Sequence, residues 1–509
     1  MSIVQKTTQR SASSERGGRG LITPSTGLIA LLIGALIVVG MVEVFAPLLV
    51  GTVIPSTSVT RQAASMATAL ITGLLFLALL LYLRCDEILT VTVALVHLYL
   101  DFYMSLIATA QLLALALLLV FFLGRSQQRP WVEPRPLWLW LLFLGLTLFP
   151  ALRGATNLDD ALFYYPNIIV GSFLFFWLGL NTARNLKSLW LVLEFLAAVG
   201  ALIAVHTIVI ALTGKFLLGT SLHDPFLKSV SNFTLGDTGV QRVGGFFIDP
   251  NWNGTFFAFV LFIPLGLYAH SRFWLARLLY LGEALVIGPA LLFTFSGGAW
   301  VAACCGLVFF LLFVDSWRLR LQIALSIFLV SLILILFFSD QLQLLFAHLT
   351  GQGELSLRLG AWETALNVIM AYPFTGVGFG LSIYMQDSAP YRSPLQYVPL
   401  AHPHDSYLEF GAMGGLPVLV AFLALLICYL WKAWCTWRLC DQRQRALLAG
   451  GLAAVGALCI NSISINGWTL PPLACFGWLM LGLLSSPLLL ASLASHSATK
   501  DTPAPMRES

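Results

Sequence analysis

The sequence predicts an all-α integral membrane protein, a polytopic helical bundle of about 12–14 transmembrane helices with a long, partly helical extracytoplasmic loop. Three observations lead there. Of the 509 residues, 59% are hydrophobic and only 10% are charged, where soluble domains carry about 25% charged residues. Apolar runs of bilayer-spanning length, about 17–25 residues, recur along nearly the whole chain. Lys and Arg concentrate in alternate loops, as expected when basic loops stay in the cytoplasm. A mean hydropathy of +0.88 excludes a soluble globular fold.

The elements follow in chain order. Residues 1–26 are polar and basic (Lys6, Arg10, Arg16, Arg19). No small-residue cleavage pattern follows the first apolar run, so they read as a disordered cytoplasmic tail before an uncleaved signal anchor. The transmembrane domain covers 27–492, with apolar runs near 27–50, 66–83, 87–101, 104–123, 136–152, 161–180, 188–212, 254–270, 278–295, 298–315, 321–339, 412–431, 446–463 and 470–492. The stretch 87–123 is read as a hairpin turning near Asp101. A single span there would put Arg125, Arg129 and Arg135 outside and invert the charge bias downstream. With the hairpin, only Arg61, Arg153, Lys215, Lys228, Arg242, Arg358 and Arg392 of the 27 Lys and Arg residues lie outside. Two long loops, 213–253 and 340–411, are then extracytoplasmic, and both ends of the chain, including the 493–509 tail, are cytoplasmic.

Several function classes are disfavoured. No Walker-type glycine loop or soluble nucleotide-binding domain is present, and no internal repeat of the inverted-transporter kind. The net charge of +4 reflects cytoplasmic anchoring and gives no reason to expect a nucleic-acid partner. The eight cysteines fall in apolar runs or basic loops and read as small buried apolar residues, neither disulfides nor metal ligands. Glu43, His97, Asp101, Glu194, His206 and Glu283 lie in or beside apolar runs. A charge buried at mid-bilayer costs at least about 2.5 kcal/mol, but several of these sit near span ends, and all six are assigned structural roles.

The outer loops hold the unusual residues. The first ends in Arg242-Val243-Gly244-Gly245 and then Asp249-Pro250-Asn251, immediately before a span. This reads either as a capped helix start with a snorkelling arginine or as a backbone that closely approaches a ligand. In the second loop, Arg358, Trp362 and Ala365 share one face of an amphipathic helix by their i, i+4, i+7 spacing. Tyr372-Pro373 ends it and Gly376-Val377-Gly378 follows as a flexible turn. His402-Pro403-His404-Asp405 then leads into the next span, with Glu409 one turn on. A His-x-His pair in a loop is more often structural than catalytic, and without a third ligand it is no zinc site. Its chemical reading is that two arginines neutralise a diphosphate while histidine accepts a proton from an attacking hydroxyl. Asp405 or Glu409 would orient the imidazole.

Taken in order, these segments resemble the O-antigen ligase and polymerase family of bacterial envelope enzymes. The likeness rests on Arg242, Gly245, Pro250 and Asn251, then Arg358, Trp362 and the Pro373…Gly376-Val377-Gly378 turn. His404, Tyr407, Leu408, Glu409 and Gly415 complete it. The resemblance implies transfer of a glycan from a polyprenyl (undecaprenyl) diphosphate carrier to an acceptor hydroxyl on the outer face of the bacterial cytoplasmic membrane, without cofactor or required metal. It implies His404 as the catalytic histidine and Arg242 and Arg358 as diphosphate-binding residues; His402, Asp405 and Glu409 are read from their place beside His404 as supporting residues. Two departures stand out. Asp405 occupies a position that usually holds Asn or a similar small polar residue. Ser296-Gly297-Gly298 lacks an arginine often found there, for which Arg153 or Arg392 would compensate. The acceptor is left open: lipid A–core for a ligase, another repeat unit for a polymerase, a protein hydroxyl for a protein glycosylase. A lipid-linked glycan flippase would also want outer arginines, but would carry polar residues along its spans.

Overall fold

The computed structural model describes residues 86–96, 109–124, 130–154, 163–213, 233–234, 241–247, 249–314 and 352–500, with isolated positions at 160 and between 317 and 343. The expected spans at 27–50 and 66–83, the turn near Asp101 and most of 321–339 lie outside the described residues, as do Glu43 and His97. The rest is an all-α membrane bundle. Its only strand pairing among the described residues is a two-residue antiparallel bridge, β1 (Phe233–Thr234) with β2 (Gln241–Arg242).

The helices are α1 (Asp86–Val96), α2 (Thr109–Leu123), α3 (Leu137–Gly154), a π-helical stretch Phe163–Val170 running into α4 (Gly171–Thr182), and α5 (Leu186–Thr213). Then come α6 (Pro250–Val260), continued by α7 (Phe262–His270), α8 (Trp274–Phe293) and α9 (Gly297–Phe313). The second loop contains α10 (Gln352–Ala371), α11 (Leu381–Asp387) and α12 (Ser406–Gly414). The chain closes with α13 (Leu416–Leu439), α14 (Gln442–Asn461), α15 (Pro471–Leu484) and α16 (Pro487–Lys500). Seven helical stretches among the described residues are long and apolar enough to cross a membrane, and α2 and α9 are shorter apolar helices.

Inside a bilayer, helices associate by close packing, because lipid is as apolar as they are. Small residues make this possible between α4 and α15. A Cβ on Gly482 would stand 2.2 Å from the Phe176 carbonyl oxygen, and one on Gly179 would stand 2.4 Å from that of Leu479. Beside this seam an aromatic cluster joins α3, α4, α13 and α15. Trp140 and Trp478 have ring centroids 4.9 Å apart, and Phe176 and Tyr429 4.1 Å apart. The cluster reaches the site end through Phe410 of α12, 4.4 Å from Phe422.

The bundle has two unlike ends. At one, Arg184 pairs with Asp86 at 2.6 Å, and Asn181 accepts from the Val132 amide at 2.9 Å. Lys432 donates to the Arg135 carbonyl, and Ser486 donates to the Leu180 carbonyl at 2.7 Å. Asp86 and Val132 thus both lie at this end, while the turn of the expected hairpin, near Asp101, is outside the described residues. The basic loops gather here. Arg153, Arg242, Arg358 and His404 are all at the opposite end.

One boundary differs in a way that matters. The expected span 412–431 is two helices, because Gly415 breaks the chain at φ 84 and α12 stands as a separate nine-residue helix ahead of α13. His404 thus precedes a short helix, not the span itself.

Candidate active site

Asp405 starts α12. Its carboxylate accepts the amides of Tyr407 and Leu408 at 2.8 and 2.9 Å, satisfying donors that a helix leaves open at its N-terminus. The far end is closed by the glycine turn, whose Val377 and Gly378 amides donate to the carbonyls of Ala412 and Met413 at 3.0 and 2.9 Å. Gly376 makes that approach possible: its φ is +60, and a Cβ there would lie 2.3 Å from the Met413 carbonyl carbon. The turn expected to be flexible is therefore pinned. Arg153 holds it too, donating to the Gly376 carbonyl at 3.2 Å with its guanidinium over the Tyr372 ring.

His404 sits in the left-handed region, with φ 54. For a non-glycine residue this conformation costs of order 1–3 kcal/mol and persists only where neighbours over-determine it. Here Pro403 and the capped α12 flank it, and its amide donates to His402 Nδ1 at 3.3 Å. The two imidazoles are 4.2 Å apart, centroid to centroid. Burial, then His402, then the Arg358 guanidinium hold the His404 pKa well below the usual histidine range. The ring is therefore neutral near pH 7. Burial takes His402 down to about 4, so its Nδ1 stays an acceptor.

Neither expected orienter reaches His404. Asp405 is spent on the helix amides, and burial pushes its carboxyl up to about 6. Glu409 is fully buried, accepting from the Tyr164 hydroxyl at 2.7 Å and the Thr469 hydroxyl at 2.8 Å. A residue one turn into α12 faces the bundle interior, which sequence adjacency could not show.

The two arginines rest on a common support. Arg358 Nη1 donates to the Ser464 carbonyl at 2.8 Å. Arg242 donates to Asn251 Oδ1 at 2.7 Å and to the Thr294 carbonyl at 3.2 Å, close to the Asp249 carboxylate that caps α6. The indole of Trp252, next to Asn251, donates to Asn466 at 3.1 Å. Residues 462–470, between α14 and α15, thus tie the Arg242 segment to the Arg358 helix. They also hold α12, since the Ser406 amide donates to the Ser462 carbonyl at 2.9 Å. Sequence reading passed over this segment as a short turn. Its signal was Ser464, Asn466, Gly467 and Thr469 packed between two spans. Gly298 abuts it, a Cβ there falling 2.1 Å from Ser464 Oγ. That contact gives the glycine in the departing Ser296-Gly297-Gly298 segment a packing reason.

Arg392 lies apart, on the loop that Ser393 fastens to α10 through Thr364 and Glu363. Its Nε is buried without a hydrogen-bond partner among the described residues. Among those residues no three of His, Cys, Asp and Glu gather as metal ligands.

No curated protein matches the chain. Residues 282–423 match the family model described as O-antigen ligase. The match takes in Arg358, the glycine turn, His404 and α12, leaves out Arg242 and the 462–470 segment, and supports an O-antigen ligase- or polymerase-type function in general. The match, running from within α8 into α13, supports the resemblance to the O-antigen ligase and polymerase family over the Arg358 and His404 motifs.

Proposed function

We propose that the protein is a glycosyltransferase that moves a glycan from a polyprenyl diphosphate carrier to an acceptor hydroxyl, at the extracytoplasmic end of the bundle in the bacterial inner membrane. Transfer of the O-antigen ligase type, to lipid A–core, is the preferred form. The observation that carries the reading is the pairing of a strained, neutral His404 with Arg358 at the end of the bundle away from the basic loops. A neutral imidazole accepts a proton, and a guanidinium matches diphosphate oxygens at any working pH.

In this mechanism Arg242 and Arg358 bind the diphosphate. His404 takes the proton of the acceptor hydroxyl as its oxygen attacks the anomeric carbon. The new carbon–oxygen bond forms on the face opposite the breaking bond to the diphosphate, so the anomeric configuration inverts. The carrier diphosphate leaves with the electron pair, its charge met by the two guanidinium groups. Electrostatic stabilisation of this kind is commonly the largest catalytic contribution. The protein supplies no nucleotide site in this scheme, since the carrier diphosphate is itself the activated leaving group.

His404→Ala tests the proposal. Transfer should be lost while the protein remains in the membrane and lipid-linked glycan accumulates; wild-type amounts of transferred product would end it. Product analysis with a defined lipid-linked donor separates ligation to lipid A–core from polymerisation and from protein glycosylation.

A further inference from the structure

The outward face of α10 carries four large apolar side chains: Leu355 (51% exposed), Leu359 (44%), Leu366 (49%) and Met370 (71%). Spaced 4, 7 and 4 residues apart, they fall within one narrow stripe of the helix, since each residue advances about 100°. The opposite face, with Ala361, Thr364, Ala365 and Val368, is buried. Glu363 also lies on the exposed side, its carboxylate accepting from the Ser393 hydroxyl. Apart from it, the side away from the protein is as apolar as the side packed on it, which corrects the expectation of an ordinary amphipathic helix. Single exposed leucines are unremarkable, but a continuous stripe marks a contact surface.

We infer that α10 is a membrane-interface helix whose Leu355–Met370 stripe lies among the acyl chains of the leaflet beside the site. Continuity with the lipid-facing flank of the spans identifies the occupant. Phe374, just beyond α10, is 77% exposed, and the Pro373 carbonyl accepts the Leu416 amide at 2.7 Å. From there the exposed residues of α13 run Leu416, Val420, Ile427 and Trp431, with the same 4, 7, 4 spacing along a helix that crosses the bilayer. The α10 stripe thus meets a lipid-facing stripe at its edge. Arg358 projects about a quarter-turn from the stripe. Embedding the stripe fixes that guanidinium at the depth of membrane phosphates, a consequence that rests on the donor reading above.

The test is photocrosslinking of the full chain in native membranes, with benzoylphenylalanine in place of Leu366 or Met370 and, as control, of the exposed Asp387. Phospholipid adducts at 366 and 370, and none at 387, are expected by mass spectrometry. Adducts to a second copy, to another protein or to a glycan-bearing isoprenoid lipid would overturn the inference, as would the absence of lipid adducts. This readout does not depend on transfer, so it stands or falls separately from the donor assignment. The Arg358 consequence has its own test in Leu366→Asp with Met370→Asp, expected to raise KM for the membrane-bound donor more than it lowers kcat. An unchanged KM would remove the depth-setting role.

Discussion

The two ends of the bundle use arginine in opposite ways. At the basic end, Arg184 meets the Asp86 carboxylate. At the other, Arg153, Arg242 and Arg358 each donate to a main-chain carbonyl, of Gly376, Thr294 and Ser464. A carboxylate fixes a guanidinium and offsets its charge; a carbonyl fixes its direction. The carboxylates differ in the same sense, since Asp86 meets a cation whereas Glu409 meets two hydroxyls. One end is arranged for anchoring. The other positions its guanidinium groups through the backbone, as the proposed diphosphate site requires.

The largest effect should come from making one substitution at both ends. Arg358→Lys is expected to lower kcat/KM by about 10²-fold, the usual scale for losing one placed transition-state donor, because lysine cannot reproduce the fork. Arg184→Lys should leave turnover of a defined lipid-linked donor near wild type. Equal losses at the two sites would erase the distinction.

The pH profile sharpens it. His404 must be neutral to act, and its pKa lies below the usual histidine range. The acid limb of kcat/KM should therefore fall at lower pH than an ordinary histidine would give, and Arg358→Gln should move it upward. Bound diphosphate favours the imidazolium, so the limb of kcat should lie higher than that of kcat/KM. Coincident limbs would count against Arg358 holding the anion beside the ring.

Glu409 gives a moderate effect on stability. Leaving the Tyr164 and Thr469 hydroxyls without it in Glu409→Ala should cost about 1–3 kcal/mol. Burial pushes its carboxyl up to about 8, so the fold retains a proton that the unfolded chain gives up. Its contribution is full below the ordinary glutamate range and is lost as pH rises through about 8. Thermal unfolding in detergent should show that slope in the wild type and a flatter one in Glu409→Gln. The smallest effect on transfer is expected for Asp86→Asn, which should leave transfer intact while the loss of the buried Asp86 carboxylate as partner of Arg184 lowers stability by about 1–3 kcal/mol.

Much of this was legible in the sequence because bilayer physics is one-dimensional: run length gives spans and loop charge gives parity. That reasoning put the basic loops at one end and the Arg242, Arg358 and His404 segments at the other. It failed where the third dimension decides. Whether Glu409 faces His404 or the bundle interior depends on the Gly415 break, and a glycine announces only the freedom to turn. The 462–470 segment was invisible as a site component because it works mainly through backbone carbonyls and short polar groups, which resemble any turn. Met370 and its stripe were missed because an apolar residue on an outer-loop helix reads equally well as buried.

The Ser464 carbonyl beneath Arg358 also bears on how such proteins can be recombined. The family-matched stretch ends at residue 423, while the atom that steadies its arginine belongs to a segment beyond it. A chimera that exchanges only the matched stretch with a relative would seat the guanidinium on a foreign carbonyl. Exchanges meant to move acceptor preference should therefore carry 462–470 along with 352–414, treating two distant pieces of chain as one inheritable unit.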